Sequence, residues 1–122
     1  MANANIPEYT LVSECDLPKE VEEIMLEGET FIKAYKTFRD SVTFTNKRIV
    51  FRDSQGFSGK KVEVYSLPYN MINMWSSENA KGLFDVNAEL ELWTRAGHFK
   101  LNLSKGVDIR ELDRLVASVV LG

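Results

Sequence analysis

The chain has 122 residues, 44% of them hydrophobic and 27% charged, which predicts one globular domain with a single core rather than a disordered chain. No apolar run approaches the roughly 20 residues that span a bilayer, so any membrane contact is expected to be peripheral. The formal net charge of −3 weighs against nucleic acid as the main partner, because duplex binding depends on many Lys and Arg side chains.

The N-terminal part carries weak signals. Residues 1–9 show no apolar periodicity, so a loose lead-in is expected there. A short helical region is predicted next, with Pro18 in its first turn and Gly28 at its end. Its apolar positions are Leu11, Val12, Leu17, Val21, Ile24 and Met25. Lead-in and helix together form residues 1–28, ahead of the main part of the domain, residues 29–122.

The single cysteine, Cys15, cannot form a disulfide within the chain, and the first residues lack the pattern of a secretory signal. Both features favour a cytoplasmic location. The acidic neighbours of Cys15 are expected to raise the pKa of its thiol, which favours a half-buried structural residue over a reactive nucleophile.

Strands are predicted from residue 29 onward. Residues 29–38 have apolar side chains on both faces, so one face is expected against the core and the other against a helix or a second subunit. A two-residue turn at 46 and 47 then predicts a hairpin with four apolar side chains on one face. The predicted pairs are Phe44 with Ile49 and Val42 with Phe51.

Further strands follow after a glycine-containing loop at residues 53–59. Val62 and Val64 are predicted to point inward, with Tyr65 on the other side, and residues 71–77 form the next strand.

The clearest alternation runs through residues 86–94 and predicts a second hairpin with its turn at Ala96 and Gly97. The predicted pairs are Leu92 with Leu101, Leu90 with Leu103 and Thr94 with Phe99.

The last segment, residues 108–121, is predicted to be an amphipathic helix with Asp108 as its N-cap. Its apolar stripe consists of Ile109, Leu112, Leu115, Val116, Val119 and Val120. Seven strands followed by one helix predict a mainly β fold: a bent, orthogonal barrel whose open end the helix caps.

Five motifs in order resemble the bacterial pleckstrin-homology-like (PH-like) domain family, a domain of unknown function. They are Phe38-Arg39-Asp40; Phe44-Thr45-Asn46-Lys47-Arg48-Ile49; Gly59-Lys60-Lys61-Val62-Glu63 with Ser66-Leu67-Pro68-Tyr69; Phe84-Asp85 with Ala88-Glu89-Leu90; and Lys105-Gly106-Val107-Asp108-Ile109. The resemblance implies the same capped seven-stranded barrel and a cyclic ring of identical chains, with five subunits as one candidate number. It also implies polar surfaces that bind other proteins, and it brings no enzymatic activity.

Catalytic and metal sites find little support in the sequence. His98, the only histidine, is expected on the outer face of a hairpin end, paired with Arg95. Glu89 and Glu91 share a strand face and are interpreted as solubilising charges. One His and one Cys leave only an all-oxygen metal site, and no phosphate-binding or nucleophile motif is present, so no cofactor, metal or enzymatic activity is predicted.

Charged residues in the first half of the barrel form the candidate interaction surface: Arg39, Asp40, Lys47, Arg48, Lys60 and Lys61. The basic residues of this set, together with Lys33 and Lys36, could form a phosphate cradle. Asp40 beside Arg39, and the strand parity that separates Lys47 from Arg48, favour solvated charge and contacts with a partner instead.

Trp93 lies by parity on the outer face, opposite Lys100, and with Trp75 it is the candidate oligomer interface, because tryptophan is enriched where proteins meet. The predicted function is therefore a non-enzymatic, cytoplasmic, homo-oligomeric binding or scaffolding module with a protein partner. The alternatives are a peripheral binder of anionic lipid or phosphoinositide and, third, an enzyme that uses carboxylates alone.

Overall fold

The computed structural model describes residues 7–55, 61–79 and 88–122. These residues form nine strands, two α-helices and one 3₁₀ turn. The strands are β1 (Glu8–Leu11), β2 (Ser13–Cys15), β3 (Phe31–Lys36), β4 (Ser41–Thr45), β5 (Arg48–Gln55), β6 (Lys61–Pro68), β7 (Ile72–Glu78), β8 (Ala88–Thr94) and β9 (Gly97–Leu103). The helices are α1 (Lys19–Glu22) and α2 (Ile109–Leu121), and the 3₁₀ turn is Tyr69–Met71.

The strands form two sheets that enclose one core. One sheet has the order β1-β9-β8-β7 and the other the order β2-β3-β4-β5-β6. The pair β1 and β9 is parallel, whereas the other paired strands of the described chain are antiparallel. The fold is mainly β with a C-terminal helix, as predicted, but the described strands form a two-sheet sandwich rather than a closed barrel.

The N-terminal prediction was partly wrong. Residues 8–11 and 13–15 form strands, and the helix covers only Lys19–Glu22. Leu11 is fully buried and Tyr9 packs against the core, so these two side chains follow the period of two of a strand. A stretch this short contains too few apolar positions to distinguish that period from a helical one.

The first hairpin was predicted correctly. Phe44 lies opposite Ile49 and Val42 opposite Phe51, and all four are buried. No non-glycine residue of the described chain has a positive φ, so this turn does not use the left-handed conformation. Instead the hydroxyl oxygen of Thr45 accepts hydrogen bonds from two backbone N–H groups that follow it, each at 3.1 Å.

The second hairpin forms with a register two residues away from the predicted one. Thr94 lies opposite Gly97, so the turn consists of Arg95 and Ala96, and the predicted pairs were wrong. The observed pairs are Leu92 with Phe99, Leu90 with Leu101 and Ala88 with Leu103. Because the shift is an even number of residues, every side chain keeps its predicted face, and Leu90, Leu92 and Leu101 are fully buried.

Strand β6 faces the opposite way from the prediction. Tyr65 pairs with Phe51 and Leu67 with Ile49, so these two side chains point to the core, whereas Val62 and Val64 lie on the other face. The stacking of Tyr65 on Phe51, with ring centroids 4.9 Å apart, outweighs the tendency of valine to take the buried side.

Helix α2 closes one end of the sandwich, as predicted. The Asp108 carboxylate caps it by accepting from the backbone N–H groups of Arg110 and Glu111, at 3.0 and 3.2 Å. Ile109, Leu112 and Val116 are buried against the core. None of the described helices has the length and apolar character to cross a membrane.

The outer face of the five-stranded sheet is covered as well. Ala34, Thr43 and Val50 lie in one row across β3, β4 and β5, and all three are fully buried, as is Val21 of α1. The segment between β2 and β3 is joined to β5 by two ion pairs, Arg48 with Glu29 and Arg52 with Glu20, one on each side of this row. The segment therefore lies across the row and gives this sheet a second buried face.

Candidate binding groove

The predicted interaction surface is divided between two ends of the sheet. Arg39 and Asp40 lie in the turn before β4, whereas Lys47 and Arg48 follow its other end. The five residues of β4 separate the two pairs by about 17 Å along the strand. The Asp40 carboxylate accepts from the N–H of Ser54, near the end of β5. Strand β6 begins with Lys61 opposite that end of β5, so Lys61 lies at the Asp40 end of the sheet. Lys60 lies outside the described residues.

The guanidinium group of Arg48 is bound to other residues of the same chain. Its Nε and Nη2 atoms each lie 2.9 Å from a carboxylate oxygen of Glu29, whose side chain is fully buried, and Nη2 also donates to the Ile24 carbonyl at 2.8 Å. The hydrogen bonds from Arg48 lower the pKa of Glu29 to about 2 against the opposing effect of burial, and the Thr45 hydroxyl adds a further bond at 2.6 Å. Arg48 therefore holds the segment before β3 against the sheet.

Arg52 was missed by the sequence reasoning and has a similar role. Its Nε atom lies 2.8 Å from a Glu20 oxygen and its Nη1 atom 2.8 Å from an Asp40 oxygen. It has the same parity as Arg48 on the same strand, which is the signal that could have identified it. Lys33 likewise pairs with Glu111 of α2. Three cations of this half of the fold are thus neutralised by acids of the same chain.

A groove of about 700 Å³ opens beside the Asp40 end of the sheet, between β1, β9, the turn before β4 and the adjoining ends of β5 and β6. Aromatic rings line it: Tyr9, Tyr65 and Phe99 surround the buried Phe51, with ring centroids 5.1, 4.9 and 5.4 Å from it. Of the predicted surface residues that the structure describes, Arg39 and Asp40 alone line this groove.

Two phenol groups meet inside the groove. The hydroxyls of Tyr9 and Tyr65 are hydrogen-bonded to each other across 56 positions of sequence. Burial raises the pKa of both tyrosines, and for Tyr9 the nearby carboxylates of Asp53, Asp40 and Glu63 raise the pKa further. Both phenols therefore stay protonated at neutral pH and present hydroxyls and ring faces rather than charge.

The rim of the groove includes Phe38, which is 87% exposed. The turn that carries it is fixed by two hydrogen bonds: the N–H of Thr37 donates to the Asp40 carbonyl, and the N–H of Asp40 donates to the Thr37 hydroxyl, each at 2.9 Å. The ring is thus held in solvent by an ordered turn.

The predicted pairing of His98 with Arg95 was wrong. His98 lies opposite Trp93, and the two rings stack with centroids 4.8 Å apart. Its Nε2 atom lies 2.7 Å from an oxygen of Glu91, and the Lys100 ammonium lies 3.4 Å from Glu89. Within the described residues no group of His, Cys, Asp and Glu side chains is arranged to hold a metal ion.

Cys15 is half-buried, and burial is the main cause that raises the pKa of its thiol, followed by the carboxylate of Asp16. The neighbouring acid has the predicted direction of effect but is the smaller cause.

The two tryptophans lie on opposite faces of one sheet. Trp75 pairs with the buried Leu92 and donates its indole N–H to Asp113 of α2 at 3.0 Å, so it faces the helix. Trp93 is half-buried on the outer face, directly opposite Met74, which is 52% exposed on the edge strand β7. They do not share a surface, and their assignment to an oligomer interface stays a prediction.

Comparison with known proteins gives a consistent result. Residues 1–120 match the model of a family described as "Bacterial PH domain". The chain is 34% identical over 113 residues to the uncharacterized protein YjqA of Bacillus subtilis (strain 168), a match that covers 90% of each chain.

Two crystal structures are similar throughout. A DUF1696 family protein with a pleckstrin-homology domain from Shewanella loihica PV-4 has 34% identity and a TM-score of 0.78, with 88% of this chain and 96% of that chain covered. A pleckstrin homology domain from Shewanella amazonensis SB2B has 38% identity and a TM-score of 0.69, with 90% and 92% covered. The match extends over nearly the whole of each protein.

Proposed function

The chain belongs to the bacterial PH domain family, and on that premise we propose that it is a non-enzymatic protein-binding module that works as a cyclic homo-oligomer. The groove beside the Asp40 end of the sheet supports the binding role most directly. It combines an aromatic lining with an ordered, exposed phenylalanine, and these are features of surfaces that dock other proteins.

A protein partner is favoured over an anionic lipid. A phosphate cradle needs several cations that converge without local counter-charges, whereas Arg48, Arg52 and Lys33 each contact a carboxylate of the same chain. The candidate cations also lie at two ends of the sheet. A polar and aromatic groove can instead recognise a polypeptide through side-chain shape and hydrogen bonds.

The outer face of β7 and β8 is the best-supported contact between subunits. Met74 and Trp93 lie side by side there, next to the ring of His98, and β7 is an edge strand of its sheet. An apolar pair beside a sheet edge is a surface that association would bury. The single cysteine is the feature that favours placing this oligomer in the cytoplasm.

Light scattering of the purified protein at micromolar concentration tests the assembly. We expect the wild-type protein to have the mass of several subunits, and Trp93→Glu and Met74→Glu each to have the mass of a monomer. Phe38→Glu adds the same charge on another face and is the matched control, with unchanged mass expected. A monomeric unchanged chain would overturn the oligomer.

The binding role is tested separately, by affinity capture with the intact protein followed by calorimetry with each recombinant partner. Direct, saturable binding that Phe38→Glu weakens would support it. If none of the captured proteins binds directly in calorimetry, the binding role is contradicted.

A further inference from the structure

The chemistry of the groove specifies the kind of polypeptide that fits it, an inference that rests on the proposed binding function. We propose that the groove binds an extended peptide segment in which a lysine or arginine lies next to a bulky apolar side chain. Three features of its walls support this occupant: the aromatic floor, the charge of the lining, and the position of Phe38.

The floor suits a cation carried on an aliphatic stem. The rings of Tyr9 and Tyr65 both pack against Phe51 and remain half-exposed to the groove. Ammonium and guanidinium groups are attracted to the faces of such rings, and their methylene stems bury apolar surface on them. The two phenol hydroxyls bind each other and stay uncharged, so they add no repulsion.

The charge of the lining favours a cation. Four carboxylates, Glu8, Asp40, Asp53 and Glu63, line the groove, against the single cation Arg39 among its described residues. Asp40 forms an ion pair with Arg52, but Arg52 also forms an ion pair with Glu20, so one positive charge is shared by two carboxylates.

Two of these acids keep their charge uncompensated by a direct ion pair. Glu63 is exposed and has no ion-pair partner in the described part of the chain, and Glu8 accepts a hydrogen bond at 2.7 Å from the neutral amide of Asn102. The carboxylates of Asp53, Asp40 and Glu63 act on the Tyr9 hydroxyl and raise its pKa. The same negative potential attracts a cationic side chain and disfavours an anionic ligand.

Phe38 provides the apolar contact. Its ring stands at the rim, 87% exposed, on a turn fixed by the hydrogen bonds between Thr37 and Asp40 and by the bond from Arg52 to Asp40. Because the turn is already ordered, a partner that packs on this ring loses little conformational entropy in the turn. A side chain beside the bound cation can reach it, since both belong to one groove.

Fluorescence anisotropy with dye-labelled probe peptides tests the proposal. One probe alternates lysine and leucine, and the second alternates glutamate and leucine. We expect the lysine probe to bind with an affinity that falls as salt is raised, and the glutamate probe not to bind. Phe38→Ser and Glu63→Lys should each weaken binding of the lysine probe about tenfold.

Matched controls lie away from the groove. Leu26→Ser removes an apolar side chain that is 63% exposed and lies next to Glu29 at the Arg48 end of the sheet, and Glu27→Lys makes the same charge reversal at an exposed position. Both should bind the lysine probe as the unchanged protein does. Circular dichroism of each variant checks that the fold is retained.

Two results would overturn the proposal. Unchanged binding of the lysine probe by Phe38→Ser and Glu63→Lys would place the binding elsewhere, and direct binding of captured partners would then leave the proposed function intact. A lower mass of Phe38→Ser in light scattering would mean that a second copy of this chain occupies the groove.

Discussion

Arg48 binds Glu29 through two hydrogen bonds of 2.9 Å each, at the edge of the outer face that the segment before β3 covers. The pair joins residues 19 positions apart and also contacts the Ile24 carbonyl. It fastens that segment across β5 at one end, and the pair of Arg52 with Glu20 fastens it at the other.

Arg48→Ala should destabilise the protein strongly. The substitution leaves the buried Glu29 carboxylate without its cation, and loss of one partner of a buried pair costs about 3 kcal/mol. Urea unfolding followed by circular dichroism measures the change in the free energy of unfolding. Lys47→Ala, at the exposed neighbouring position, is the control and should change it by less than about 0.5 kcal/mol. A loss below about 1 kcal/mol for Arg48→Ala would contradict the structural role.

The same pair should make stability depend on acid pH. The pKa of Glu29 is lowered from 4.5 to about 2 in the folded protein, so its stabilising effect is complete above pH 4.5. It is lost as the pH falls from 4.5 toward 2, because the unfolded chain then binds a proton that the folded chain does not. Thermal melts across this range should show a shallower fall for Glu29→Gln than for the unchanged protein. Equal slopes would place the acid sensitivity at other groups.

Helix α2 is held to β7 by a polar clamp that can be tested in the same way. The Asp113 carboxylate accepts from the Trp75 indole at 3.0 Å and from the Ser77 hydroxyl. Asp113→Ala should lower the free energy of unfolding by about 2 kcal/mol. It should also shift Trp75 fluorescence to the red, measured with Trp93→Phe as background. Arg114→Ala, exposed on the same helix, should leave both readouts unchanged.

Local pattern predicted much of this fold. Alternation placed the buried side chains of both hairpins on the right face, and the helical stripe of α2 was found with its Asp108 cap. Register was harder, since parity alone cannot detect a shift of two residues. The side chains that decide it are Thr45 and Thr94, whose hydroxyls accept from the N–H groups of the turns that follow them.

The groove and the ion pairs could not be predicted in this way. Tyr9 and Tyr65 meet across 56 positions of sequence, and Tyr9 belongs to a segment whose four-residue strand pairs in parallel with β9. Long-range pairing of this kind leaves no periodic signal. The basic residues were visible in the sequence, but whether they converge depends on which acid each one meets. The ion pairs of Arg48 with Glu29 and of Arg52 with Glu20 form only when the segment before β3 lies across the folded sheet.

Vesicles that contain phosphatidylglycerol should not sediment this protein at low salt. Lys47 and Lys61 lie at opposite ends of β5, too far apart to contact one headgroup, and Arg48 and Arg52 between them are ion-paired. Arg39 is exposed at the Lys61 end, but it lines a groove that also holds four carboxylates, which disfavour an anionic headgroup. Sedimentation with pure phosphatidylcholine vesicles provides the baseline. Salt-sensitive pelleting that Lys47→Glu or Lys61→Glu abolishes would instead favour the lipid alternative.

The two turn threonines should differ in how much they stabilise the protein, although each orders a hairpin. The Thr94 hydroxyl accepts from the Ala96 N–H at 3.0 Å and donates to the Gly97 carbonyl at 2.7 Å near the surface, so Thr94→Val should cost about 1 kcal/mol. The Thr45 hydroxyl accepts two backbone N–H groups and donates to Glu29 in a buried site, so Thr45→Val should cost about 2 to 3 kcal/mol. Combining Thr45→Val with Glu29→Gln separates the causes in urea unfolding. If the carboxylate contact dominates, the double variant loses less than the sum of the two single changes, whereas additive losses would assign the effect to the turn alone.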